Sequence, residues 1–114
     1  MKYSIDKEND IVVISVKSNL EGGPDTFQIK DDVTAKLGAG ERKFILDMEK
    51  ASFVNSTGIG VVIAVQSSIS NAGGKLRVCS VSDRARRAFV VTGVWSLFDV
   101  CGDKAEALAA FARD

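Results

Sequence analysis

Between Arg42 and Ala72 the apolar pattern changes from the two-residue period of a strand to the roughly 3.6-residue period of a helix, and a short polar, glycine-bearing junction separates the two. Arg42-Lys43-Phe44-Ile45-Leu46-Asp47-Met48 reads as a strand, set off by Gly38 and Gly40. From Gly58 to Ala72 there is no proline, and Val62, Val65, Ile69 and Ala72 recur on one helical face. A strand feeding directly into a helix is the repeating unit of an α/β fold, and the rest of the chain keeps the alternation. Tyr3 to Lys7 and Ile11 to Lys17 flank Glu8-Asn9-Asp10 and predict an antiparallel hairpin. Pro24 suits a first helical turn, Phe27, Val33 and Leu37 form that helix's rough apolar side with Ile29 and Ala35 less regular, and Gly38 ends it. Beyond Ala72 the pattern predicts a strand over 75–80, a helix over 82–91, a short strand near 97–101 and a helix over 103–112. The expected fold is α/β: a small mixed sheet, opening in an antiparallel hairpin and continuing through βα crossovers, packed with about four helices.

With 114 residues, 46% of them hydrophobic and 26% charged, the chain has material for one core, so a single domain over residues 1–114 is expected. Fifteen basic and fifteen acidic residues cancel. That balance offers no basic stripe for nucleic acid or an anionic membrane, and a protein partner fits better. The opening Met1 to Glu8 carries no apolar run of signal-peptide length, and no stretch is long enough to span a bilayer; the expectation is a cytoplasmic chain without membrane insertion.

No histidine occurs, so a Ser-His or Cys-His nucleophile pair is impossible within the chain. Neither a Gly-x-x-x-x-Gly-Lys-Ser/Thr phosphate loop nor a dinucleotide glycine triplet is present. Cys79 and Cys101 form no Cys-x-x-Cys pair and read as reduced core residues; no metal site is expected. Arg84, Arg86 and Arg87 read as a solvated helix face, with Asp83 a candidate cap after Ser82, and Trp95 and Phe98 read as core contacts.

The junction Ser52-Phe53-Val54-Asn55-Ser56-Thr57-Gly58-Ile59-Gly60 is the candidate functional element. Asn55 or Ser56 can cap the helix, and a serine there is exposed beside the positive end of the helix dipole, where a negative group is favoured. The plain reading is capping alone. The glycines are expected to let another chain approach the helix start.

The junction also resembles the Asp-Ser-Ser/Thr-Gly-Leu/Ile-Gly signature of STAS domains, the fold of bacterial anti-sigma factor antagonists. The resemblance extends from Phe53 to Gly93. It takes in the helix, the Asn71-Ala72-Gly73-Gly74-Lys75-Leu76-Arg77-Val78-Cys79 turn and strand, the next short helix over Val81 to Phe89, and Thr92-Gly93-Val94 at its end. It weakens before Leu37. The resemblance implies a regulatory binding protein, not an enzyme. Its unphosphorylated form would bind an anti-sigma factor that is a serine kinase of the histidine-kinase-like ATPase fold, freeing the sigma factor. Phosphorylation at the position of Ser56, with Thr57 as second choice, would switch binding off, and a phosphatase would reverse it. ATP and Mg²⁺ would belong to the partner, so this chain needs no cofactor. Partner contact is expected at Asn55, Ser56, Thr57, Gly58 and Gly60 and along the outward helix positions Ala64, Ser67 and Asn71.

Two departures from the family pattern stand out. Asn55 replaces the usual Asp before the serine; an amide can cap but brings no charge and cannot act as a general base. Asn19-Leu20-Glu21-Gly22-Gly23-Pro24 stands where a Gly-x-Leu/Ile-Asp turn is common. Asn55 keeps open an alternative, a non-switching STAS subunit of a multiprotein scaffold or lipid-transport complex, marked by stable co-purification without phosphate turnover. A third reading, an α/β enzyme or nucleotide-binding protein, requires nucleotide binding by the isolated chain.

Overall fold

The computed structural model describes residues 3–113. Strands β1 (Tyr3–Glu8) and β2 (Ile11–Val16) form the opening antiparallel hairpin. Its tight turn is made by Asn9, at φ 57°, a conformation that asparagine tolerates better than most residues. Helix α1 (Pro24–Gly38), strand β3 (Lys43–Asp47), helix α2 (Ser56–Asn71), strand β4 (Lys75–Cys79), helix α3 (Asp83–Val91), strand β5 (Asp99–Cys101) and helix α4 (Lys104–Ala112) follow in turn. Strands β2 to β5 are parallel neighbours, and the sheet order is β1-β2-β3-β4-β5.

This strand order decides where the helices lie. Three successive right-handed crossovers advancing in one direction must put α1, α2 and α3 on the same face of the sheet. The buried side chains agree: Val12, Ile14, Phe44, Leu46, Leu76 and Val78 pack under Ile29 and Val33 of α1, Val62, Val65 and Ile69 of α2, and Phe89 of α3. The intervening residues Ile11, Val13, Ile45 and Cys79 point to the opposite face, where α4 covers them with Ala107 and Phe111. With both faces covered, β2 is buried almost throughout and reads as a continuous apolar run rather than an alternating one.

The structure shifts several expected boundaries. Helix α2 begins at Ser56 rather than Gly58, and Ala72 is its exposed C-cap rather than part of the buried stripe. The buried side of α1 is Thr26, Ile29 and Val33, and Leu37 packs half-buried against the core as expected; Phe27, also expected there, is 53% exposed. Its displacement follows from register, since Phe27 lies two residues before Ile29, about 200° around the helix. The last strand is shorter than expected, because Trp95–Leu97 forms a single 3-10 turn before β5. Ser82, not Asp83, caps α3, its hydroxyl accepting from the Ala85 amide at 3.1 Å. Trp95 and Phe98 are half-buried against Phe89, with ring centroids 6.0 and 5.4 Å away. Cys79 and Cys101 are register partners on β4 and β5, both free thiols. Cys79 is fully buried, and that desolvation pushes its thiol up to about 12; Cys101 is only half-buried.

Candidate functional site

After β3 the chain drops Met48, Ala51 and Val54 into the core, and these three buried residues carry it to the start of α2. Asn55 is the N-cap: in extended conformation, its side-chain oxygen accepts from the Gly58 amide at 2.9 Å. Ser56 and Thr57 then occupy the first two helical positions, where amides have no partner within the helix. Both side chains are exposed, and the Ser56 hydroxyl has no hydrogen-bond partner among the described residues. Two unpaired amides, a helix N-terminus and a free hydroxyl therefore meet at one point on the surface. Anions are favoured at such a point.

The segment 18–23 holds this junction in place. Leu20 and Val54 form a parallel bridge, with the Leu20 amide donating to Phe53 O (3.2 Å) and the Asn55 amide to Leu20 O (3.1 Å). The side-chain oxygen of Asn19 accepts from both Ser52 Oγ and the Phe53 amide, each at 3.1 Å. Asn55 Nδ2 donates to Glu21 O at 3.0 Å. That bond gives a physical reason for Asn where the family pattern has Asp: a carboxylate has no proton to offer this carbonyl. The two departures from the family pattern are thus bonded to each other.

The glycines of the junction have different roles. Gly58 is buried, and a Cβ there would overlap the Leu20 carbonyl oxygen and come within 2.9 Å of Leu20 Cβ. Its close approach is to this chain's own loop, with Leu20 filling the space beside it. Gly60, two residues on, is exposed, and a Cβ would meet nothing within 4 Å. Gly60, Ser67 and Asn71 are exposed along α2, and Ala64 is half-buried between them. Gly22, at φ +92°, lies so close to Thr57 that an added Cβ would come within 2.7 Å of its Cγ2. Thr57 is therefore braced on one side where Ser56 is not.

Sequence reasoning missed Asn19, Leu20 and Gly22 as supports of the site; only the departure of this loop from the family pattern marked it. Arg84, read from the sequence as part of a solvated helix face, is exposed, and its guanidinium also lies 4.5 Å from the centre of the Phe53 ring. Ser82 Oγ donates to Ser52 O at 3.0 Å, so the start of α3 is anchored to the same junction. Arg86 and Arg87 are exposed.

Asn55 is the most testable of these residues. Asn55→Ala removes the cap and the Glu21 bond, and is expected to cost about 1–2 kcal/mol, lowering Tm by roughly 5–10 °C. Asn55→Asp keeps the acceptor and adds a charge favourable at the helix start, so its Tm is expected close to wild type. Its lost donor should appear instead as faster amide hydrogen exchange over Glu21 to Gly23. Equal exchange in the two chains would show that the Asn55–Glu21 bond does not hold the loop.

No helix among the described residues is long and apolar enough to cross a membrane. A small α/β domain that presents one helix end on a braced loop is a class with known members. The STAS domain family matches residues 2–107, and the chain belongs to that family. It is 28% identical over 111 residues to the protein named BtrV of Bordetella bronchiseptica, covering 97% of this chain and 95% of that one. It is 27% identical over 73 residues to the anti-sigma-B factor antagonist of Staphylococcus aureus, covering 64% and 68%. The fold is also similar to Bacillus SpoIIAA, described as an anti-sigma factor antagonist. Its unphosphorylated form is 19% identical, with a TM-score of 0.79 over 98% of this chain and 97% of that one. Its phosphorylated form is 20% identical, with a TM-score of 0.74 over 96% and 98%.

Proposed function

We propose that this chain is an anti-sigma factor antagonist regulated by partner switching. Unphosphorylated, it binds an anti-sigma factor that is a serine kinase of the histidine-kinase-like ATPase fold, and the sigma factor is released. Phosphorylation of Ser56 ends that binding, and a phosphatase restores it. The chain is the substrate and the partner supplies the catalysis, in the cytoplasm. The observation that carries this reading is the free Ser56 hydroxyl at the first position of α2, exposed beside unpaired amides in a STAS domain. The names of the Staphylococcus aureus relative and of SpoIIAA support the partner class.

Phosphosite mapping by mass spectrometry on protein isolated from its native cells tests the switch. Phosphate on Ser56, absent from a Ser56→Ala strain, is the expected result. Its absence across growth and stress conditions would favour the non-switching subunit instead.

The partner surface is proposed to run from Asn55, Ser56 and Thr57 along Gly60, Ala64 and Ser67, where small side chains leave the helix flat. Ala64→Trp is expected to weaken partner binding at least about tenfold, the effect of roughly 1.4 kcal/mol. Tm should stay close to wild type. A large fall in Tm would assign this helix position to the core instead.

A further inference from the structure

A cavity of about 500 Å³ opens beside the junction, between the β1–β2 hairpin, the 18–23 segment and the first turn of α1. Its floor is apolar: Tyr3, Val16, Leu20 and Ile29 are all buried. Its rim carries two carboxylates, Glu21 and Asp25. Neither has a basic partner within salt-bridge distance among the described residues, although other surface acids of the chain do, such as Glu41 with Lys7 and Asp10 with Lys43. The volume lies within the range of small-ligand sites, and an apolar chamber with a few charged groups at its mouth is their usual composition.

The sign of the field at this cavity selects among ligands. Tyr3 forms part of the floor, and its hydroxyl donates to Asp32 Oδ2, which leaves the phenol no proton to give a ligand. Its ionisation is pushed well above the usual phenol range by burial first, then by the bond to Asp32 and the negative charges of Asp32, Asp25 and Asp31. A fatty acid or phosphate ester would meet carboxylates at the mouth and no cation among the described lining residues. A protonated amine would meet both carboxylates, which have no basic partner among the described residues, while its hydrocarbon part fills the floor.

We propose that this cavity binds a small amphipathic cation, an amine carried on a hydrocarbon body. One wall of the cavity is the segment that brackets the candidate phosphorylation site. Leu20 is bridged to Val54, and Glu21 O accepts from Asn55 Nδ2. An occupant that shifts Glu21 therefore pulls on the residue that caps α2.

The test uses the full chain and a matched pair of probes, octylamine and octanoate, which share a similar hydrocarbon body and carry opposite charges at neutral pH. In a titration followed by ¹⁵N–¹H correlation NMR, octylammonium is expected to shift the amides of Val16, Leu20, Glu21 and Asp25 saturably. The shifts should extend to Asn55 and Gly58. Octanoate should bind roughly tenfold more weakly or worse, and the double variant Glu21→Gln/Asp25→Asn should erase the difference. Both substituted side chains lie at the cavity mouth, so the core is untouched. Equal or tighter binding of octanoate, or shifts scattered over the surface without saturation, would overturn the site. Saturable shifts that stop at Glu21 would overturn its link to the junction. Neither readout needs the anti-sigma partner, so the proposal stands or falls independently of the proposed switch.

Discussion

A phosphate on Ser56 is expected to lower affinity for the anti-sigma partner by about a hundredfold or more, with Ser56→Ala binding constitutively and Ser56→Asp in between. The modification adds about −1.5 to −2 charge and three acceptor oxygens. In the free chain these oxygens face the amides of Ser56 and Thr57 at the positive end of α2, so the fold has no reason to change. At a closed interface the same group must lose water. A buried charge without a partner costs about 3–5 kcal/mol, which is the hundredfold or more. Aspartate carries a single charge on a shorter arm and reproduces only part of this. Isothermal titration calorimetry of the three forms against the purified proposed partner measures the difference directly. Equal affinities would overturn the mechanism, and a changed circular dichroism spectrum on phosphorylation would replace local repulsion with a conformational switch.

Two glycines of the same helix, two residues apart, are expected to respond to alanine with opposite sign. Gly58→Ala places a Cβ onto the Leu20 carbonyl, where backbone meets backbone. Ordinary overpacking costs about 1–3 kcal/mol by displacing side chains. Here the bridge between Leu20 and Val54 must itself yield, so the expected cost is about 3 kcal/mol or more and the fall in Tm roughly 12 °C. At Gly60 nothing lies within 4 Å of the new methyl group. Gly60→Ala removes backbone freedom from the unfolded chain and is expected to stabilise by about 0.5–1 kcal/mol. Thermal unfolding of the two variants decides the matter, and a loss of stability at both would mean that helix α2 tolerates no side chain on either face near its start. Because Gly60 belongs to the proposed partner surface, its variant also separates the two properties. A more stable chain that binds less well would place Gly60 in the contact.

The alternation of strands and helices was legible in the sequence because each element carries its own periodicity and its own stop. The hairpin turn at Asn9, the helix start at Pro24 and the junction before α2 were all marked by residues with strong local preferences. Boundaries were less legible. Ser56 and Thr57 carry no apolar signal, so pattern alone started the helix at Gly58, and the cap geometry of Asn55 moved it back to Ser56. Phe27 was misplaced for a related reason: the chemistry of one side chain outweighed its angular position on α1, which points it away from Ile29 and Val33.

The candidate site divides along the same line. A serine after a capping residue at a strand-to-helix junction is a local arrangement, and local arrangements are written in consecutive residues. The sequence by itself therefore determined the α/β alternation, the two departures from the family pattern and the position of Ser56. Only the tertiary structure decided that those departures meet in one hydrogen bond between Asn55 and Glu21, 34 residues apart in the chain. It alone showed that Gly58 is reserved for Leu20, and that the same loop walls an acidic-rimmed cavity. The physical reason is that hydrogen bonds and steric exclusion act over a few ångströms regardless of separation along the chain, and periodicity carries no record of which distant segments packing will bring within that range.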